Sequence, residues 1–246
     1  MSRQKIDIPT AYKIANEWTR VFWTCFKFHA VRRVADLIDP PEGPIIQEIS
    51  RLLGRALARE LDLNVTVRGM EHAEGLRRYC VAATHASYLD WFLILAYFPT
   101  AVRFVARKEI TRFPVVGPYL REQAVLIDRS RGAEAREKLA NAVERSMNKD
   151  DRYPVLIFPE GTRTPDGKVQ PFKRGGLSIL MERGLKALPL VLKGTYEILP
   201  RHAMCTQANV PITITACEPV DPADFPDVEA AIAEVERRVR EAWESS

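Results

Sequence analysis

With 246 residues, 46% of them hydrophobic and 28% charged, the chain has the composition of a globular protein large enough to bury one sizeable core. Its net charge of +4 suits anionic partners such as phosphate-bearing lipids, a membrane surface or a nucleotide-containing molecule, and without a recognisable nucleic-acid-binding motif it argues against a nucleic-acid partner. The cysteines Cys25, Cys80, Cys205 and Cys217 show no Cys-x-x-Cys spacing, which disfavours a metal site or a disulfide framework and favours reduced thiols. No apolar run reaches the length of a membrane-spanning helix and none resembles a cleaved leader, so a membrane is expected to be met at its surface.

In chain order, a long helical pattern opens at Pro9-Thr10 and is stopped by Asp39-Pro40-Pro41. Trp18, Phe22 and Phe26 recur on one face at steps of four, and Lys13, Arg20 and Lys27 on the opposite face at steps of seven. A second helix, about Pro44 to Leu61, sets Ile45, Ile49, Leu52, Leu53, Ala56 and Leu57 against an arginine stripe of Arg51, Arg55 and Arg59. The two form an expected amphipathic hairpin over residues 1–62. Its basic faces are either simply solvated or meet anionic lipids while the aromatic side chains enter the headgroup boundary.

Residues 63–246 read as an α/β domain. Strands are expected at Val65–Gly69, Tyr79–Ala83, Val102–Ala106, Ala124–Ile127, Pro154–Phe158, Leu188–Leu192 and Val210–Thr215, with helices at Trp91–Phe98, Ala133–Met147, Gly175–Glu182 and Pro226–Trp243. Strands alternating with helices imply a mixed, mostly parallel sheet flanked by helices.

Two stretches carry chemistry. In the first, a buried strand delivers Thr84-His85-Ala86-Ser87-Tyr88-Leu89-Asp90 to the start of a helix. His85 and Asp90 would diverge by about 140° on one helix, so the histidine belongs in the turn, with Ser87 as N-cap and Asp90 in the first helical turn reaching back to the imidazole. A carboxylate on one ring nitrogen leaves the other as a general base. Asp90 also has a plainer reading as a cap. In the second stretch, Phe158-Pro159-Glu160-Gly161-Thr162-Arg163 leaves a strand in a sharp turn. Its backbone N–H groups and the Arg163 fork suit a phosphate, with Glu160 holding the arginine or a substrate hydroxyl. A surface ion pair is the simpler alternative.

Together, His-x₄-Asp after one strand and Phe-Pro-Glu-Gly-Thr-Arg after another resemble the glycerolipid acyltransferase family that includes lysophosphatidic acid acyltransferase. The resemblance covers roughly Val65 to Pro200. Gly117 through Leu126-Ile127-Asp128-Arg129 and Ala187-Leu188-Pro189-Leu190-Val191 resemble two further blocks of that family. Thr84 stands where Asn is common, removing an amide from the pocket, and Gln123-Ala124-Val125 replaces an aromatic approach to Ile-Asp-Arg.

The resemblance implies that His85, oriented by Asp90, deprotonates the hydroxyl of a 1-acylglycerol 3-phosphate, which then attacks an acyl thioester. Acyl-CoA or acyl-carrier protein is the co-substrate, and no metal or other cofactor is expected. Glu160, Gly161, Thr162 and Arg163 are implied to bind substrate, Arg163 sharing the phosphate with Arg107 or Lys108. Glycerol 3-phosphate or another lyso-lipid is an alternative acceptor, and a non-catalytic lipid-binding protein is the alternative of another class. The implied location is the cytoplasmic face of a membrane, as a peripheral or monotopic protein.

Overall fold

A computed structural model describes residues 7–39, 43–112, 124–127, 136–141, 143–144, 153–207 and 209–246. Helix α1 (Ile8–Ala35) starts where the Asp7 carboxylate accepts the Thr10 N–H, and α2 (Pro44–Glu60) follows. Next come β1 (Val65–Arg68), β2 (Tyr79–Ala83), α3 (Leu89–Tyr97), β3 (Arg103–Arg107), β4 (Ala124–Ile127) and β5 (Val155–Ile157). The chain continues through α4 (Arg174–Met181), β6 (Lys186–Lys193), the single turn α5 (Thr195–Ile198), β7 (Ile212–Ala216) and α6 (Val228–Ser245). The helix expected over 133–147 is seen at residues 136–141 and 143–144, the rest of that range lying outside the described residues.

The seven strands among the described residues join one sheet in the order β1-β7-β6-β2-β5-β3-β4. β6, β2, β5, β3 and β4 run parallel, while β7 pairs antiparallel with β6 and carries β1 parallel beside it. Alternation along each strand sorts the core into two layers. Tyr79, Val81 and Ala83 of β2 face α2 and α3, whereas Cys80 and Ala82 face α4, α6 and the helical residues Leu139, Ala140 and Val143. This is the helix-flanked, mostly parallel sheet that the pattern implied.

The N-terminal helices differ from expectation in what they bury. On α2 the inward stripe is Ile46, Ser50, Gly54, Leu57 and Ala58, while Ile45 and Leu52 stay 44% and 45% exposed. Small residues win these positions because α3 comes very close: a methyl group on Gly54 would lie 2.6 Å from the Phe92 carbonyl oxygen. The arginine stripe is not simply solvated either. Arg51 Nη2 donates to Pro99 O at 2.8 Å and Arg55 Nε to Ala96 O at 3.3 Å, so two cations satisfy carbonyls at the C-terminal end of α3, where the helix dipole is negative. Asp39, expected only to stop α1, accepts the Ile46 N–H and caps α2.

On α1 the inward stripe carries buried Glu17, Thr24 and Arg32, and the aromatic residues point outward. Phe22, Trp23 and Phe26 pack on one another with ring centroids 5.7–6.3 Å apart, yet each remains about half exposed, as does Trp18. The basic residues divide. Arg20 lies 4.0 Å from Glu60, Lys13 donates to Thr206 O, and Lys27 stays exposed. Among the described residues no helix is long and apolar enough to cross a membrane.

The contact at Gly54 gives a direct test. Alanine improves helix propensity by about 1 kcal/mol, but its methyl must displace the α3 backbone, an overpacking cost of about 1–3 kcal/mol. Gly54→Ala is expected to lower unfolding free energy in urea titrations, and a stabilised variant would show the helices free to separate.

Candidate active site

The sequence-selected residues gather at the carboxyl ends of four adjacent strands, the edge where open parallel sheets place their ligands. His85 follows β2, the 158–163 turn follows β5, Arg107 and Lys108 end β3, and the Gly194-Thr195 turn follows β6. Thr84 does not face this edge. It is buried, and its hydroxyl accepts the Leu192 N–H at 2.9 Å, prolonging the β2–β6 ladder, so the amide argument made from its position does not apply.

Asp90 is fully buried in the first turn of α3 and accepts four hydrogen bonds. Oδ2 takes the His85 Nδ1–H at 3.0 Å and the Ala86 and Ser87 N–H groups at 2.8 Å each, and Oδ1 takes the Thr195 hydroxyl at 2.8 Å. Because a carboxylate only accepts, this places the imidazole proton on Nδ1 and leaves Nε2 with a lone pair. The N-cap of α3 is Tyr88, one residue later than expected for Ser87, because the Ser87 hydroxyl accepts the Leu89 N–H and not that of Asp90; the Asp90 carboxylate still reaches back to the Ser87 N–H. Ser87 Oγ accepts the Leu89 N–H and donates to Leu199 O, which commits the hydroxyl to structure.

The imidazole plane is fixed by a second contact. The Phe158 ring stacks on it with centroids 4.0 Å apart and planes 19° from parallel. A hydrogen bond along one ring direction and a stack on one face together leave little freedom about the side-chain torsions. The His85 side chain is nevertheless 24% exposed, so solvent or substrate reaches the ring while the carboxylate behind it is sealed.

Glu160 departs from the expected pairing with Arg163. It is 2% exposed, with Oε1 accepting the His85 N–H at 2.8 Å and Oε2 the Gln170 N–H at 3.1 Å. The turn that positions it, closed by Gly161 N–H donating to Phe158 O, directs the carboxylate inward under the histidine loop. The Thr164 N–H donates to His85 O at 2.8 Å, so both backbone groups of His85 are held by the second stretch. Burial pushes Glu160 up to about 7, backbone N–H donors from His85 and Gln170 opposing it and the Asp90 charge reinforcing it.

Arg163 is held instead over Tyr88, its guanidinium carbon 3.5 Å from the ring centroid, and donates weakly to Arg201 O at 3.4 Å. Burial, with the positive charge of Arg201 adding to it, lowers its pKa from the ordinary guanidinium value. Thr162 is exposed, and Gly161 takes a positive φ of 74°. Lys108 is exposed at the end of β3. The Arg107 side chain, Gly117, Gln123, Asp128 and Arg129 lie outside the described residues, so the choice between Arg107 and Lys108 stays open.

The region from residue 64 to 193, just over half of the chain, matches the family model described as Acyltransferase. The chain belongs to the acyltransferase family. Members similar to it include the 1-acyl-sn-glycerol-3-phosphate acyltransferase of Limnanthes alba, 31% identical over 162 residues that cover 65% of this chain and 56% of that protein. The Cocos nucifera protein of the same name is 31% identical over 70% of this chain and 54% of its own length. The chain thus spans about half the length of the curated relatives it matches. Among solved structures, the 1-acyl-sn-glycerophosphate acyltransferase PlsC from Thermotoga maritima superposes with a TM-score of 0.73 at 25% identity, over 93% of this chain and 97% of that one.

Glu160 makes stability depend on pH in this chain. Its folded-state pKa is raised from 4.5, so its contribution is fully present below about pH 4.5 and is lost as pH rises through about 7. Relative to Glu160→Gln, the wild type is expected to lose about 2–3 kcal/mol of unfolding free energy over that window. Denaturation curves at pH 4.5, 6 and 8 measure it, and a pH-independent difference would mean that Glu160 titrates normally.

Proposed function

We propose that this chain transfers an acyl group from an acyl thioester to the free hydroxyl of 1-acylglycerol 3-phosphate. The observation that carries the reading is the imidazole of His85: Nδ1 bound to a fully buried carboxylate, the ring partly exposed on its other side. That is the arrangement of a general base with its tautomer fixed. The acceptor hydroxyl gives its proton to Nε2 as its oxygen bonds to the thioester carbonyl carbon. The tetrahedral oxyanion then collapses, the C–S bond breaks, and the imidazolium returns the proton to the departing thiolate. No covalent intermediate on the protein is needed.

Arg163 supplies the charge for the acceptor phosphate. Its position over Tyr88, beside a second cation at Arg201, is an arrangement of like charges that a dianion relieves. Arg107 or Lys108, at the end of β3, is the further cation, and Thr162 and Gly161 line the same turn. The names of the similar plant proteins and of the superposed structure support this acceptor class. The thiol carrier is coenzyme A or acyl-carrier protein.

The lipid acceptor is met at a membrane surface, on the cytoplasmic side, where lysine and arginine face anionic headgroups. The outward aromatic row of α1 and the exposed Ile45 and Leu52 of α2 support an interfacial helix pair rather than a spanning one.

Thiol release from acyl-CoA or acyl-carrier protein should require the acceptor, and His85→Ala should lower it by about 10²–10⁴-fold. Release that survives this substitution would sink the general-base assignment. Arg163→Ala is expected to raise KM for the phosphate-bearing acceptor by about 10–100-fold while sparing a phosphate-free lyso-lipid; equal loss on both would remove the phosphate role. Changing Trp18, Phe22 and Trp23 together to serine should abolish flotation with anionic vesicles, and retained flotation would place the membrane contact elsewhere.

A further inference from the structure

The two oxygens of Asp90 are held very differently. Oδ2 receives three donors, all from the 85–87 loop, whereas Oδ1 receives one, the hydroxyl of Thr195, from the far side of the sheet sequence. Both residues are fully buried, so water cannot replace that donor. We propose that Thr195 is a positioning residue for acyl transfer, holding the Asp90 carboxylate plane so that Oδ2 stays on the imidazole Nδ1–H. The inference rests on the reading of His85 as general base and adds to it a residue that no sequence motif marked.

The fold delivers Thr195 deliberately to this place. β6 pairs in register with β2, Ala83 opposite Leu190, and the ladder continues as Thr84 N–H donates to Leu190 O. One residue past β6, Gly194 takes φ +93°, and a Cβ there would lie 2.3 Å from Pro211 O. Only glycine fits that turn, and the turn swings Thr195 from the strand end under the first turn of α3. The neighbouring Tyr196 hydroxyl donates to Pro165 O and Ser87 donates to Leu199 O, which lock the α5 turn against both motif loops.

Without the hydroxyl, Oδ1 is a buried carboxylate oxygen with no donor, a costly state. Rotation about Cβ–Cγ relieves it by sharing the three loop donors between both oxygens, and that rotation takes Oδ2 away from the imidazole. The Thr195 side chain is fully buried with its hydroxyl on Asp90, so the substitution is expected to leave substrate contacts untouched. The effect therefore falls on kcat and not on KM.

The test is a kinetic cycle in the full chain with Thr195→Val, Thr195→Ser, Asp90→Asn and the Asp90→Asn/Thr195→Val pair, thiol release being the readout and thermal midpoints the control. Thr195→Val is expected to lower kcat by about tenfold with both KM values unchanged, Thr195→Ser to restore it, and Thr195→Val to do nothing further in the Asp90→Asn background. If Thr195→Val does not fold, Thr195→Ala takes its place in the cycle. A wild-type kcat in the valine variant, a failure of serine to rescue, or a multiplicative loss in the double variant overturns the inference. A wild-type kcat in Asp90→Asn alone overturns instead the catalytic reading on which it rests.

Discussion

A carboxylate sealed from water has to be matched by donors, and Asp90 draws four of them from two distant parts of the chain. This single requirement explains much of the local architecture. The 85–87 loop curls so that two consecutive N–H groups and a ring nitrogen converge on one oxygen, and β6 must end where it does for Thr195 to reach the other. Because every donor is spoken for, the imidazole is aimed by the same bonds that make the helix start stable. The bonds that start the helix and the bonds that orient the imidazole are the same ones, so neither can be changed without the other.

Glu160 performs a parallel task one layer away. Where Asp90 holds the ring of His85, Glu160 and Thr164 hold its backbone, so the histidine is gripped at side chain, N–H and C=O at once. The two motif loops, 75 residues apart at His85 and Glu160, are thereby a single structural unit. The two nearby carboxylates are supplied with donors unequally. One is supplied with enough donors to remain a hydrogen-bond hub, and the other, with fewer donors and the first as neighbour, is pushed up to about 7.

Much of this was legible in the chain. The seven strands were written as short apolar, β-branched runs, and the His85–Asp90 contact followed from the geometry of a strand-to-helix turn. The inward face of α2 was misread, because hydropathy ranks Ile45 and Leu52 above Ser50, Gly54 and Ala58, while close helix packing ranks them by size. Arg51 and Arg55 looked like a solvated or lipid-facing stripe because sequence shows a cation but not the carbonyls it will meet. Glu160 beside Arg163 looked like an ion pair, and the direction of a tight turn decided otherwise. Thr195 had no local signal at all, since its partner lies 105 residues earlier and only the register of β6 on β2 joins them.

Helix α3 is anchored at both ends by charged side chains of opposite sign and from opposite directions. Its first turn contains Asp90, and at its other end Arg55 of α2 holds the Ala96 carbonyl while Arg51 holds the Pro99 carbonyl just beyond it. Nine helical residues span about 13 Å, and a helix of that length is stiff along its axis. It acts as a strut whose one foot stands on His85 and whose other foot is bolted to the hairpin that bears the outward aromatic row. The standoff between that row and the imidazole is therefore set by the length of a single rigid helix instead of a loop.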